Sequence, residues 1–320
     1  MSAPPAAPWP DARHFYRWLQ AAGSVQGLPA EGSCMLNLYL FQILNGLGLG
    51  MIYFLIAVGL TIIFGLLNFV NFAHGAFFVL GAYICYTAVS LTGNFWLALV
   101  LAPLVVAALA WIIERLLIQR IYHLPHMFQI LVTLGIALII QEASVMIWGP
   151  VGKAVAVPEL LRGVLVIGDF VYPYYRLFLI LFSALVGLGL WLLLERTRFG
   201  ALVRAGSEST ETVSLLGTNI FRLFSMTFAL GVALAGIAGV LFAPLRGAQP
   251  FVGPEILGVA FVVVVIGGMG SFGGALVGGL LVGVVQSLMT SLWPQGASLM
   301  IYGAMAAVIL VRPYGLFGRA

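Results

Sequence analysis

Charge is what this chain of 320 residues lacks most: Asp, Glu, Lys and Arg together make up 8% of it, and Lys153 is its one lysine. A soluble domain carries about 25% charged residues. So few charges cannot solvate the surface of a globule this size, which excludes a water-soluble enzyme or binding module. Cysteine is almost absent as well. Cys34 and Cys85 give no disulfide framework, and Cys85, inside an apolar run, reads as a small hydrophobe. No H-E-x-x-H, G-x-S-x-G or G-x-x-x-x-G-K-[ST] occurs. The chain therefore carries no zincin or nucleophile-elbow signature and cannot bind ATP through a P-loop. The first twenty residues hold no apolar h-region, so they are not a signal peptide.

What is present is apolar: 62% of the residues are hydrophobic. Residues 32–113 contain no charged side chain, nor do 177–194, 223–245 or 256–311. At about 20 apolar residues per crossing, the first stretch holds roughly three helices. Backbone groups cannot go unpaired in lipid, and the period-2 alternation of a barrel is missing. The fold class is therefore all-α, a polytopic transmembrane helix bundle of about 8–10 spans with broken or re-entrant helices. Spans are expected at 37–66, 75–92, 95–113, 127–148, 176–194, 223–245, 256–268, 275–292 and 298–311. The first is expected to be interrupted by Gly46, Gly48, Gly50, Gly59 and Gly65.

The net charge of +4 is almost all arginine. In a membrane protein it sets orientation rather than nucleic-acid binding. Arg196, Arg198, Arg204 and Arg222 in 195–222, Arg115 and Arg120 in 114–126, and Arg312 and Arg319 in the tail belong on the cytoplasmic side. Segment 149–175, with Lys153 and Arg162 against Glu159 and Asp169, belongs outside. The N-terminus lies outside if 37–66 crosses once and inside if it folds into two elements. Two domains follow: an extension, 1–34, and a transmembrane domain, 35–320. The extension starts Pro/Ala-rich and then sets Phe15, Trp18, Leu19 and Ala22 at helical spacing beside Arg13 and Arg17, the pattern of a short interfacial helix. A start at Met35 is the alternative.

Three clusters stand out. Asn68, Asn71 and His74 fall at i, i+3 and i+6 in an apolar stretch, where buried amides and imidazoles need partners. On a helix they share one face, and they are expected to bind one another and stabilise a break between two half-helices; the alternative is that they line the path and touch a polar solute. Glu142, beside Gln141, is an ionisable group at membrane depth, read as a path residue or as a locally paired side chain. In "GGMGSFGGALVGG", Gly267, Gly268, Gly270, Ser271 and Gly274 cannot sit in one straight, stable helix. They break the backbone, lining a cavity or meeting a partner, or they make a tight crossing. The Gly-punctuated blocks 46–82 and 228–283 both contain such breaks, and paired interrupted segments mark translocation paths in transporters. His123 and His126 read as an ordinary cytoplasmic loop. In the polar segment 195–222, Val213, Leu216 and Ile220 are expected to form one apolar stripe with Leu215 beside it, ended by Gly217. A short exposed helix of that kind suggests a docking surface; a loop lying on lipid is the alternative.

"VNFAHGAFFVLGAY", "GGMGSFGGALVGG" and "RPYGLFG" resemble the permease subunits of bacterial branched-chain amino acid ABC importers, the LivH-type family, and the resemblance covers roughly 36–318. Asn71 to Gly75 meet the family's N-F-A-H-G, and Arg312 to Gly318 meet its R-P-x-G-L-F-G tail. The resemblance also implies a cytoplasmic E-A-A-x-x-x-G loop that docks on the ATPase. Here Glu211 and Gly217 hold its spacing, Thr212 and Val213 replace the two alanines, and Arg204 lies in the arginine-rich start. By resemblance the partners are a second permease, LivM-type or identical, two ABC ATPase subunits, an external solute-binding protein and the bilayer. No cofactor is expected in this chain, ATP being bound by the partner subunits. The chain is then a transport subunit of the bacterial inner membrane, not an enzyme. Branched-chain or other hydrophobic amino acids are the expected solutes. Urea or short amides, and less closely an ion-coupled carrier, are the alternatives.

Overall fold

The computed structural model describes residues 31–318 except Asp169, with side chains from residue 37 onward. The expected interfacial helix near Phe15 and Trp18 lies outside the described residues. Compact packing belongs to Phe41–Ala320.

Among the described residues eleven α-helices carry the fold. They are α1 (Glu31–Leu67), α2 (His74–Thr92), α3 (Phe95–Leu116), α4 (His126–Trp148), α5 (Tyr174–Arg196), α6 (Arg198–Glu208), α7 (Thr210–Leu215), α8 (Ile220–Arg246), α9 (Gly253–Gly267), α10 (Phe272–Leu292) and α11 (Ala297–Val311). Eight segments are long and apolar enough to cross a membrane, and α9 is a shorter apolar helix. The chain is thus a multi-pass helical bundle. By the positive-inside rule the Leu67 end of α1 is expected on the cytoplasmic side, and since α1 is unbroken that expectation puts its Asn37 end on the other side.

α1 corrects one expectation: Gly46, Gly48, Gly50, Gly59 and Gly65 do not interrupt it. It is the central pillar, buried on every side from Met51 to Leu60. Lipid is as apolar as a leucine, so helix association in a bilayer rests on close packing rather than on escape from water. Glycine supplies that closeness. A β-carbon at Gly50 would sit 2.7 Å from the Gly279 carbonyl oxygen on α10, and one at Gly231 on α8 would sit 2.7 Å from the Gly59 carbonyl oxygen. The helix-propensity cost of about 1 kcal/mol per glycine is offset by backbone-to-backbone contact.

Between α4 and α5 the chain forms the antiparallel hairpin β1 (Val164–Ile167) and β2 (Phe170–Pro173). The bridge Lys153–Ala248 ties this connection to the C-terminal end of α8. Asn94 starts α3, its side chain accepting from the Trp96 and Leu97 amides. Trp148 ends α4 and donates to Thr87 of α2 at 2.8 Å.

Candidate functional site

The stretch 68–73 is a chain reversal inside the bundle. Asn68 has φ 59°, a left-handed conformation that Asn tolerates better than most residues, and α1 stops there. Asn71 Oδ1 accepts from the Ala73 amide at 3.1 Å. His74 opens α2, and its Nε2 donates to the Ile56 carbonyl on α1 at 3.0 Å, 18 residues back in the chain. The expected break is therefore real, but its mechanism differs. The three side chains do not share a helical face, because the left-handed residue ends the 3.6 period, and no side-chain hydrogen bond joins them; the His74 amide donates to the Asn71 carbonyl at 3.2 Å. Asn68 turns the chain, Asn71 braces the turn and His74 pins α2 to α1. Asn71 Nδ2 and His74 Nδ1 are buried with no partner among the described residues.

The start of a shorter helix, α9, meets the start of α2. Gly253, Pro254 and Glu255 open α9 with the proline and acidic first turn that favour a helix start. Gly253 packs on Gly75: a β-carbon at Gly75 would lie 3.0 Å from the Gly253 carbonyl carbon and 3.0 Å from Leu257 Cβ. His74 lies against Gly59, and Gly59 against Gly231 near the middle of α8 (Ile220–Arg246). Both helices therefore begin within the bundle and run in opposite directions; α2 is long enough to span a membrane, α9 is not. At about 1.5 Å per residue α9 is too short to cross the ~30 Å hydrocarbon layer.

Beside this joint lies a cavity of about 430 Å³. Phe72 lines it from the turn before α2, Ala76 from α2, Pro254 and Leu257 from α9, and Leu138 and Gln141 from α4. Gln141 is the one amide in an otherwise apolar wall. The next residue, Glu142, is exposed on another face of α4 and does not line the cavity. Two helix N-termini close to an apolar cavity suit a ligand with a negative end and a hydrophobic body.

Gly267, Gly268, Gly270, Ser271 and Gly274 lie elsewhere, at the cytoplasmic end of α9. Gly268 (φ 96°) and Gly270 (φ 83°) make the turn into α10, and Ser271 caps α10 by accepting from the Gly274 amide at 3.0 Å. The tail docks on this elbow: Leu316 and Phe317 donate their amides to the Ile266 and Gly267 carbonyls at 2.8 and 3.0 Å. The second and third sequence signatures thus form one clamp. Ser271→Ala removes the cap and is expected to cost about 1 kcal/mol, read as a lowered melting temperature of the purified chain.

The cytoplasmic loop departs from its expected stripe. α6 and α7 fold back under the bundle, and α7 ends at Leu215 rather than running on to Ile220, which begins α8. Val213 points inward, 2% exposed, while Leu215 and Leu216 stand 83% and 79% exposed. Gly217, at φ 82°, closes the helix, its amide reaching the Ser214 carbonyl at 3.0 Å. Glu211 lies in the first turn of α7. Arg204 on α6 pairs with Glu195 at 3.4 Å and donates to the Leu194 carbonyl.

Two carboxylates escaped the sequence reading. Glu255 is exposed in the first turn of α9; the Gly-Pro-Glu triplet was the signal for it. Glu114, at the inner end of α3, is fully buried and accepts from Tyr122, Gln119 and Ser225. Burial, reinforced by this carboxylate, pushes the Tyr122 phenol far above its usual range, so it remains a donor. No sequence spacing announces that network, because Ser225 comes from α8.

The family described as branched-chain amino acid transport system, permease component, matches residues 42–310. The high-affinity branched-chain amino acid transport system permease protein BraD of Pseudomonas aeruginosa is 32% identical over 298 residues, covering 88% of this chain and 96% of its own. LivH of Escherichia coli, described in the same words, is 30% identical over 301 residues, with 88% and 96% covered. LivM of Salmonella typhimurium is 29% identical over 295 residues, covering 83% of this chain and 68% of its own. No solved structure matches. With its helical bundle and this match along most of its length, the chain belongs to the family of branched-chain amino acid transport permease components.

Proposed function

We propose that this chain is one of two permease subunits of an ABC importer in a bacterial inner membrane, passing branched-chain or other hydrophobic amino acids delivered by an external binding protein. The observation that carries the reading is the mid-bundle joint of α2 and α9 beside a cavity whose one polar side chain is Gln141. The two N-terminal dipoles favour the carboxylate, and the apolar wall favours an aliphatic side chain. The likeness to both LivH and LivM supports a paired, related permease. The chain has no P-loop, so ATP is bound by two separate ATPase subunits that dock on Leu215 and Leu216.

Movement of that surface reaches the joint by a short route. α8 begins just after Gly217 and carries Gly231, which packs on Gly59 beside His74. Closing of the ATPases shifts α8, and the α2–α9 joint follows into a second packing, exchanging outward for inward access. Co-purification with two P-loop ATPases and ATP-dependent uptake of labelled leucine, but not urea, tests the reading. Uphill uptake by this chain alone in vesicles would overturn it. Gln141→Leu removes the amide without bulk, and leucine uptake is expected to fall roughly tenfold, a loss near 1.4 kcal/mol, with the melting temperature unchanged.

A further inference from the structure

A second cavity, of about 200 Å³, lies on the cytoplasmic side between α1, α5, α6 and the start of α10. It is smaller than the ~300–1,000 Å³ of drug-sized ligand sites. Its walls are of two kinds. Val58, Ile62 and Phe272 make an apolar floor. Thr61, Arg204, Ser207 and Glu195 supply polar groups. Thr61 is 3% exposed, and its hydroxyl has no partner among the described residues, not even a carbonyl of its own helix. A buried hydroxyl left unpaired costs roughly 1–3 kcal/mol, so a ligand atom in reach would be welcome. Arg204 and Glu195, 3.4 Å apart and about half exposed, stand at the mouth with opposite charges side by side. Gly65 also lines the space, and a β-carbon there would meet no atom within 4 Å.

We infer that this cavity binds one free aliphatic amino acid from the cytoplasm. The carboxylate meets the Arg204 guanidinium and the Thr61 hydroxyl, the ammonium meets Glu195 and Ser207, and the side chain lies on Val58, Ile62 and Phe272. Paired opposite charges over an apolar floor match a zwitterion; an anion alone would meet Glu195, and a cation alone Arg204. The occupant sits between α6 and the bundle, and α6 leads directly into α7. Filling the cavity holds α6–α7 in one position, so accumulated amino acid inside the cell slows further import. That consequence rests on the importer reading; the binding itself does not.

The test uses the full-length chain in lipid nanodiscs and L-leucine as the probe. Saturable binding is expected, with isoamylamine and 4-methylpentanoate, which lack one charge each, failing to compete. Glu195→Gln removes the ammonium partner, and Gly65→Leu fills the open space without a backbone clash. Each is expected to weaken binding about tenfold or more. No saturable binding, or binding that neither substitution weakens, overturns the proposal. In vesicles holding the complete importer, leucine on the cytoplasmic side should slow uptake, and Glu195→Gln, which weakens binding without filling the cavity, should relieve the inhibition. If the native importer showed no ATP-driven leucine uptake while Gly65-sensitive binding persisted, the transport reading would fall and this site would stand.

Discussion

Gly217→Leu is expected to abolish ATP-driven uptake while leaving the chain folded and at normal levels in the membrane. Two physical effects separate here. The left-handed backbone at φ 82° penalises any side chain with a β-carbon by about 1–2 kcal/mol, a modest loss for a bundle this well packed. Among the described residues no atom lies within 4 Å of a β-carbon built there, so a larger effect points to a partner docked on this surface. Leu215 and Leu216 present the adjoining apolar surface, and disrupting the centre of an interface commonly costs 2 kcal/mol or more. Uptake assays beside thermal unfolding of the purified chain check it. Gly217→Asn, which tolerates the left-handed region, should retain most of the uptake. Full uptake by the Leu variant would remove α7 from the docking surface.

Gly75→Val is expected to be the most damaging single change at the joint. Its β-carbon would press on the Gly253 carbonyl carbon and on Leu257 Cβ, each 3.0 Å away. Its closest neighbours are backbone, which no rotamer change can move aside. Overpacking a full interior typically costs 1–3 kcal/mol, and here it must also push α9 off α2, where the cavity lies. Leucine uptake should fall to background and the melting temperature should drop. Gly65→Ala makes the control. It lies on α1 with open space around it, and alanine gains about 1 kcal/mol of helix propensity, so stability should hold or rise and uptake should persist. Wild-type uptake by Gly75→Val would mean that the joint is not where access changes.

These two glycines show what a reader of the chain could and could not see. Both sit in apolar runs and are indistinguishable as letters, yet one bears a helix crossing and the other faces a void. The same holds for Gly46 to Gly65, taken as breaks in α1, when the actual stop is the left-handed Asn68. Asn71 and His74 were legible as a polar group that needed partners, but Ile56, the partner His74 finds, lies on the preceding helix. Gln141 could be named, but not its place opposite Pro254 and Leu257.

The order of apolar and charged residues alone decides that this chain lives in lipid and roughly where it crosses, because those are one-body energies: each apolar or charged residue responds to solvent whatever its neighbours are. Contact between distant segments alone decides that α2 and α9 meet tip to tip, that the tail clamps the α9–α10 elbow and that Glu114 is buried against the Ser225 hydroxyl of another helix. Those are pair energies acting over a few ångströms, and a linear string of residues carries no record of which pairs come that close.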